Sequence, residues 1–63
     1  MPSNRTNFVA IKHELTAARI ATQRASAHAQ RSEDVHLAER LRELADRLGY
    51  ELDYVEARLA TMP

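Results

Sequence analysis

The chain has 63 residues, no cysteine, and nine basic and nine acidic residues, which give a formal charge of zero. Disulfides and thiolate metal sites are therefore excluded, and a neutral chain carries no general attraction to nucleic acid or anionic membranes. A chain of this length buries only about 60% of the surface that its unfolded form exposes, so a second chain is a common source of stability. We expect a single cytoplasmic domain, residues 1–63, that associates with a second copy or with a protein partner.

The interior composition favours long helices. The two prolines stand at positions 2 and 63, and Gly49 is the only glycine, so strong turn-forming residues are scarce between the ends. No apolar run approaches the ~20 residues that a membrane span needs, and the polar residues 1–7 do not read as a signal peptide. The composition predicts an all-α protein.

The first predicted helix covers residues 5–30. Apolar and small residues recur there at alternating spacings of three and four, which is the pattern of a coiled-coil seam. The seam residues are Phe8, Ile11, Leu15, Ala18, Thr22, Ala25 and Ala29. Because small residues dominate the second half of this seam, we expect the two helices to approach most closely near Ala25 and Ala29.

A second apolar strip lies on the other side of this helix, roughly 140–180° from the seam at ~100° per residue. It consists of Val9, Thr16, Ile20 and Ala27. Two interpretations are open. The strip is either ordinary surface, where scattered apolar residues are common, or a partner-binding surface anchored by Val9 and Ile20.

The junction between two helices is predicted near residues 30–34. Ser32 is a good N-cap, with Glu33 and Asp34 in the first turn of the next helix, where negative charge is favoured. The competing interpretation is one uninterrupted helix of ~55 residues, ~80 Å long. Charge favours the hairpin, since residues 1–31 hold five basic residues and one acidic residue (+4), whereas residues 32–63 hold four and eight (−4).

The second predicted helix covers residues 33–61. Its large apolar residues share an arc of roughly 80° on a helical wheel. They are Leu37, Leu41, Leu44, Leu48, Leu52, Val55, Leu59 and Met62. Gly49 stands inside this stripe, but the stripe keeps its phase there, so we favour one continuous helix over a break.

These features predict an antiparallel two-helix hairpin that dimerises into a four-helix bundle, a known architecture for such hairpins. The predicted self-association core is Phe8, Ile11, Leu15, Leu41, Leu44, Leu48, Leu52, Val55 and Leu59.

No pattern of catalytic residues is present, and we expect a non-enzyme with no cofactor and no metal. Glu33 and His36 have the Glu-x-x-His spacing of di-iron helical bundles. However, Glu14, the only glutamate of the first helix, would lie on the order of 25 Å away along the hairpin axis. His13, His28 and His36 are therefore interpreted as surface residues.

Two short resemblances concern the second helix. Ala45, Gly49 and Val55, with Leu44, Leu48 and Leu59 around them, resemble a helix-turn-helix DNA-binding unit, in which the glycine would make the turn. Leu48-Gly49-Tyr50 followed by Val55 and Leu59 also resembles the loop and last helix of ubiquitin-associated domains. The acidic residues Glu51, Asp53 and Glu56 would repel phosphate in the first case.

The sequence thus favours a small regulator, inhibitor or adaptor that acts by protein binding as a homodimer. The alternative is a nucleic-acid-binding regulator that uses segment 44–59 or a basic ridge on the first helix. The ridge consists of Arg5, Lys12 and Arg19, which repeat every seven residues. In the competing interpretation, these residues pair with acidic residues of the second helix in their own chain or in a partner. Tyr50 and Tyr54 are expected at the boundary of the apolar stripe, with packed rings and exposed hydroxyls.

Overall fold

A computed structural model describes residues 4–63 and shows an all-α hairpin of two helices. Helix α1 spans Asn4–Arg31 and helix α2 spans Val35–Thr61. The helices pack antiparallel along their whole length, since Arg5 contacts Leu59 at one end and Ser26 contacts Ala38 at the other. The predicted hairpin is confirmed, and the single long helix is ruled out. Residues 1–3 of the polar N-terminal stretch lie outside the described part.

The turn between the helices differs from the prediction in its capping residue. Asp34, not Ser32, is the N-cap of α2, and its carboxylate accepts a hydrogen bond of 3.1 Å from the Leu37 amide. Ser32 directly follows α1, and its hydroxyl donates to the His28 carbonyl in the last turn of that helix at 3.0 Å. Helix α2 therefore begins two residues later than predicted, and Glu33 and Asp34 precede it.

The chain leaves α1 through a Schellman motif. The Asp34 amide donates to the Ala29 carbonyl and the Glu33 amide donates to the Gln30 carbonyl, both at 3.0 Å. Glu33 itself adopts a left-handed backbone conformation, with φ of 64°. Glycine usually occupies this position because it has no Cβ. This chain forms the turn with a glutamate there, so the glycine that usually indicates such a turn is missing from the sequence.

Helix α2 runs through Gly49 without interruption, as its stripe predicted. A glycine costs ~1 kcal/mol relative to alanine at such a position, and here the side chain of Arg19 occupies the space beside it. The guanidinium of Arg19 lies over the Gly49 backbone, where a Cβ would be 3.2 Å from Arg19 Cζ. The missing side chain makes room for this arginine.

The core between the helices is thin. Its buried apolar residues are Ala29, Ala38, Ala45, Leu52 and Val55. No large side chain in the described residues is more than 98% buried. Toward the turn the helices come close together, because the Ser26 hydroxyl reaches across to donate to the Ala38 carbonyl at 2.9 Å. This contact agrees with the close approach expected near Ala25 and Ala29.

Candidate interaction surfaces

The hairpin is a single layer of two helices. Its Cα atoms span 47 × 18 × 11 Å, so it presents two broad faces and two narrow edges. Folded domains generally bury their apolar surface between at least two layers. The chemistry of the two broad faces therefore decides where a second layer would lie.

One broad face is charged and holds an ion pair between the two helices. Lys12 Nζ lies 3.7 Å from Glu56 Oε1. Arg19 lies over Gly49 in a shallow recess lined also by Asp46, Asp53 and Tyr50. We call this surface the charged face and define it by Lys12, Arg19, Asp46, Gly49, Asp53 and Glu56.

The predicted basic ridge of α1 runs along this same side of the hairpin. Arg5 donates from Nη1 to the Leu59 carbonyl at 3.1 Å, Lys12 pairs with Glu56, and Arg19 lies over Gly49 in the recess that Asp46 and Asp53 also line. Each of the three cations thus contacts α2 of its own chain. Lys12 thus shows the predicted pairing with an acidic residue of the second helix, whereas Arg5 contacts a carbonyl group and Arg19 lies over a glycine.

The opposite broad face is apolar. In α1, the helix side toward α2 is centred on the heptad-spaced residues Phe8, Leu15 and Thr22. At ~100° per residue, Lys12 and Arg19 flank this line on one side, and Ile11 flanks it on the other. We call the second surface the apolar face. It is formed by Ile11, Ala18, Ala25, Leu37, Leu41, Leu44, Leu48 and Met62.

Two large side chains stand out on the apolar face, because the hairpin itself leaves them open. Ile11 and Leu44 each retain 41% exposure, although both belong to the predicted core. Of the other predicted core residues, Leu52 and Val55 are buried, and Phe8, Leu15, Leu41, Leu48 and Leu59 are half-buried. The predicted core therefore divides between the helix–helix contact and an open apolar surface.

The predicted partner-binding strip lies on the outer side of α1, away from the apolar face. Val9 and Ile20 are 37% and 44% exposed, and Thr16 and Ala27 are exposed as well. The Thr16 hydroxyl donates to the Lys12 carbonyl of its own helix at 2.8 Å. Val9 and Ile20 are ~16 Å apart along the helix, so the strip offers two separate aliphatic side chains rather than a continuous patch.

The rim at the open end of the hairpin holds a cation–aromatic cluster. The Arg58 guanidinium carbon lies 5.4 Å from the Phe8 ring centre and 6.0 Å from the Tyr54 ring centre. Arg58 also donates to the Tyr54 hydroxyl at 3.0 Å. Tyr50 and Tyr54 are both exposed, more than the boundary positions expected for them.

The candidate metal ligands of the described residues are spread along the hairpin. Among residues 4–63, no three histidine, aspartate or glutamate side chains lie close enough together to hold a metal ion. Glu33 lies in the turn and His36 in the first turn of α2, whereas Glu14 lies in the middle of α1. His28 has a different partner, since its Nδ1 lies 2.7 Å from Arg31 Nη2.

The two resemblances to known families depend on a turn at Gly49. Since α2 is one helix from Val35 to Thr61, segment 44–59 does not form the two helices of a helix-turn-helix unit. The loop of a ubiquitin-associated domain is absent there for the same reason. Both resemblances were wrong about the local structure.

Neither helix in the described part of the chain is both long and apolar enough to cross a membrane. No protein-family model, curated protein or solved structure matches the chain.

Proposed function

We propose that this chain is a non-enzymatic helical interaction module that acts by protein binding and forms a homodimer through its apolar face. The observation that carries the proposal is the open position of Ile11 and Leu44 on one broad face of a single-layer hairpin. A second layer on this face would complete a four-helix bundle.

The energetics of burial support the proposal. Complete burial of an isoleucine or leucine side chain contributes about 1.5–3 kcal/mol. With 41% of each side chain still exposed, covering Ile11 and Leu44 adds about 1 kcal/mol per residue. A dimer covers four such side chains, besides Leu37, Leu41, Leu48 and Met62 on each copy. For a domain with so thin a core, this gain is a large part of the total stability.

The charged face is the less suitable place for such an interface. Its charged side chains, among them the Lys12–Glu56 ion pair, would have to be removed from water, which carries a desolvation cost. The contacts of Arg5, Lys12 and Arg19 with α2 disfavour nucleic-acid binding through these residues. A titration with duplex DNA and RNA at low salt tests this alternative, because a nucleic-acid binder shows affinity that falls steeply with salt.

The strip of Val9, Thr16, Ile20 and Ala27 has a separate proposed role as a surface for a different protein partner, since the dimer leaves it open. A pull-down with the wild-type chain and with Ile20→Glu tests this role. A partner retained equally by both chains would show that the strip is ordinary surface.

The dimer is tested by the dependence of stability on protein concentration. Mass action makes the unfolding temperature of a dimer rise with concentration, whereas that of a monomer stays constant. We expect a rise over a hundredfold range of concentration, together with a mass of two chains by sedimentation equilibrium. A constant unfolding temperature with the mass of one chain would contradict the proposal.

A further inference from the structure

We infer that the second copy lies on the apolar face with its turn at the same end of the bundle, so that α1 of each copy packs on α2 of the other. This inference rests on the proposed homodimer and specifies its arrangement. Two properties of the described residues lead to it: the size of the face, and the placement of large and small side chains.

The broad side of the hairpin that carries the apolar face has the size that a stable dimer needs. The two longer dimensions of the hairpin, 47 and 18 Å, define a rectangle of about 850 Å². Stable protein interfaces bury about 800 Å² on each partner. A second hairpin laid along this face therefore covers enough surface without any contribution from the charged face. The zero net charge of the chain also means that two copies do not repel each other overall.

Two symmetric ways of stacking the hairpins are possible. With the turns at the same end, the twofold axis runs parallel to the helices and α1 of each copy lies beside α2 of the other. With the turns at opposite ends, α1 lies beside α1 and α2 beside α2. Charge does not distinguish them, because without the residues of the charged face α1 carries three basic residues and one acidic residue and α2 carries four basic and three acidic residues, so both helices are positive.

Side-chain size favours the arrangement with the turns at the same end. Contacts across the hairpin join Lys12 to Glu56, Arg19 to Gly49, and Ser26 to Ala38, so residues at one level have numbers that add to between 64 and 68. By this rule Leu44 lies level with residues 20–24. When α1 of a second copy packs on α2, Leu44 therefore faces the space between two small residues of that helix.

Those two small residues are Ala18 and Ala25 of the second copy, which are half-buried on its apolar face. Toward the open end of the bundle the large side chain comes from α1 and the small surface from α2. Ile11 projects from α1 at the level of residues 53–57, where Val55 is already buried in α2 and offers little bulk at the surface. At both levels a large side chain thus meets smaller ones, which is the arrangement that fills a core without voids.

The experiment uses two labelling sites in a chain that has no cysteine of its own. Ser32→Cys places a nitroxide label at the turn, and Ala60→Cys places one at the open end. Both positions are exposed, and neither belongs to the apolar face. Distances between labels in the full-length dimer are measured by pulsed electron paramagnetic resonance, and sedimentation equilibrium gives the mass of each labelled sample.

We expect a distance below about 25 Å between two labels at position 32, because neighbouring helix axes are only 8–10 Å apart. Two labels at position 60 give a similarly short distance. In mixed dimers with one copy labelled at 32 and the other at 60, the distance should approach the 47 Å length of the hairpin. The mixed sample is the control, because its distance is long when the turns lie at the same end and short when they lie at opposite ends.

A dimer with long 32–32 and 60–60 distances and a short 32–60 distance would overturn the inferred arrangement and leave the dimer itself intact. A sample with the mass of one chain and no distance between labels would overturn both the arrangement and the proposed function. A dimer with two short distances and one long distance supports both.

Discussion

Substitution of Gly49 by alanine separates two opposing effects at one position. Alanine favours a helix interior over glycine by about 1 kcal/mol. Against this gain, the new Cβ would lie 3.2 Å from Arg19 Cζ, 3.3 Å from Nη2 and 3.4 Å from Nη1. These distances fall short of an ordinary carbon contact by a few tenths of an ångström, so the guanidinium must move.

The movement of the Arg19 guanidinium should require little free energy, because these atoms are the end of a flexible side chain. Arg19 Nε is buried without a hydrogen-bond partner, so a shift toward solvent also allows that group to reach water. We therefore expect Gly49→Ala to stabilise the protein by about 0.5–1 kcal/mol, less than the full helix-propensity difference. For a domain of this size, 1 kcal/mol corresponds to a shift of about 4–8 °C in unfolding temperature.

The measurement is urea or thermal unfolding at one fixed protein concentration, in the wild-type background and in an Arg19→Ala background. Without the guanidinium, Gly49→Ala should yield the full gain of about 1 kcal/mol, a few tenths more than in the wild type. Destabilisation by more than 1 kcal/mol in the wild type, relieved by Arg19→Ala, would show that the guanidinium is fixed in place. Equal effects in both backgrounds would show that the contact between Arg19 and Gly49 does not form.

Three further changes test the turn and the charged face. Glu33→Gly should stabilise the hairpin by about 1 kcal/mol, because the left-handed conformation strains every residue that carries a Cβ; a loss of stability would contradict the Schellman turn. Asp34→Ala should destabilise by about 1 kcal/mol through loss of the N-cap, and Ser32→Ala should cost less; the reverse order would restore Ser32 as the cap. Lys12→Met should change the unfolding free energy by less than ~0.5 kcal/mol, since its ion pair with Glu56 is about half exposed; a larger loss would show a stronger pair. All three are read by chemical denaturation.

The course of the two helices could be predicted from the sequence because the governing signals are local. The apolar stripe of α2 keeps one phase from Leu37 to Met62, and a single glycine does not remove the tendency of its neighbours to form a helix. The hairpin followed from the opposite charges of the two halves. The choice of capping residue was mispredicted, because Ser32 and Asp34 are both favoured N-cap types. The left-handed Glu33, which places Asp34 at the cap, lacks the glycine that usually marks this conformation.

The division of the apolar stripe into two surfaces could not be predicted either. A wheel shows which residues share a side of a helix, but the orientation of that side depends on the partner helix. Here the small residues Ala38, Ala45 and Gly49 turn toward α1, and the larger Leu44 remains at the margin. In α1, the long side chains of Lys12 and Arg19 cover the contact on one side, which leaves Ile11 open on the other.

The central claim is that the apolar face, and no other surface, holds the second copy. Ile11 and Ile20 provide a matched pair, because they are the same residue type on the same helix, are 41% and 44% exposed, and lie on different sides. Sedimentation equilibrium of Ile11→Glu and Ile20→Glu at equal concentrations tests the claim most directly. We predict that Ile11→Glu has the mass of one chain or a much weakened dimer, whereas Ile20→Glu keeps the wild-type dimer mass. Dissociation by Ile20→Glu with no effect of Ile11→Glu would contradict the claim and place the interface on the outer strip of α1.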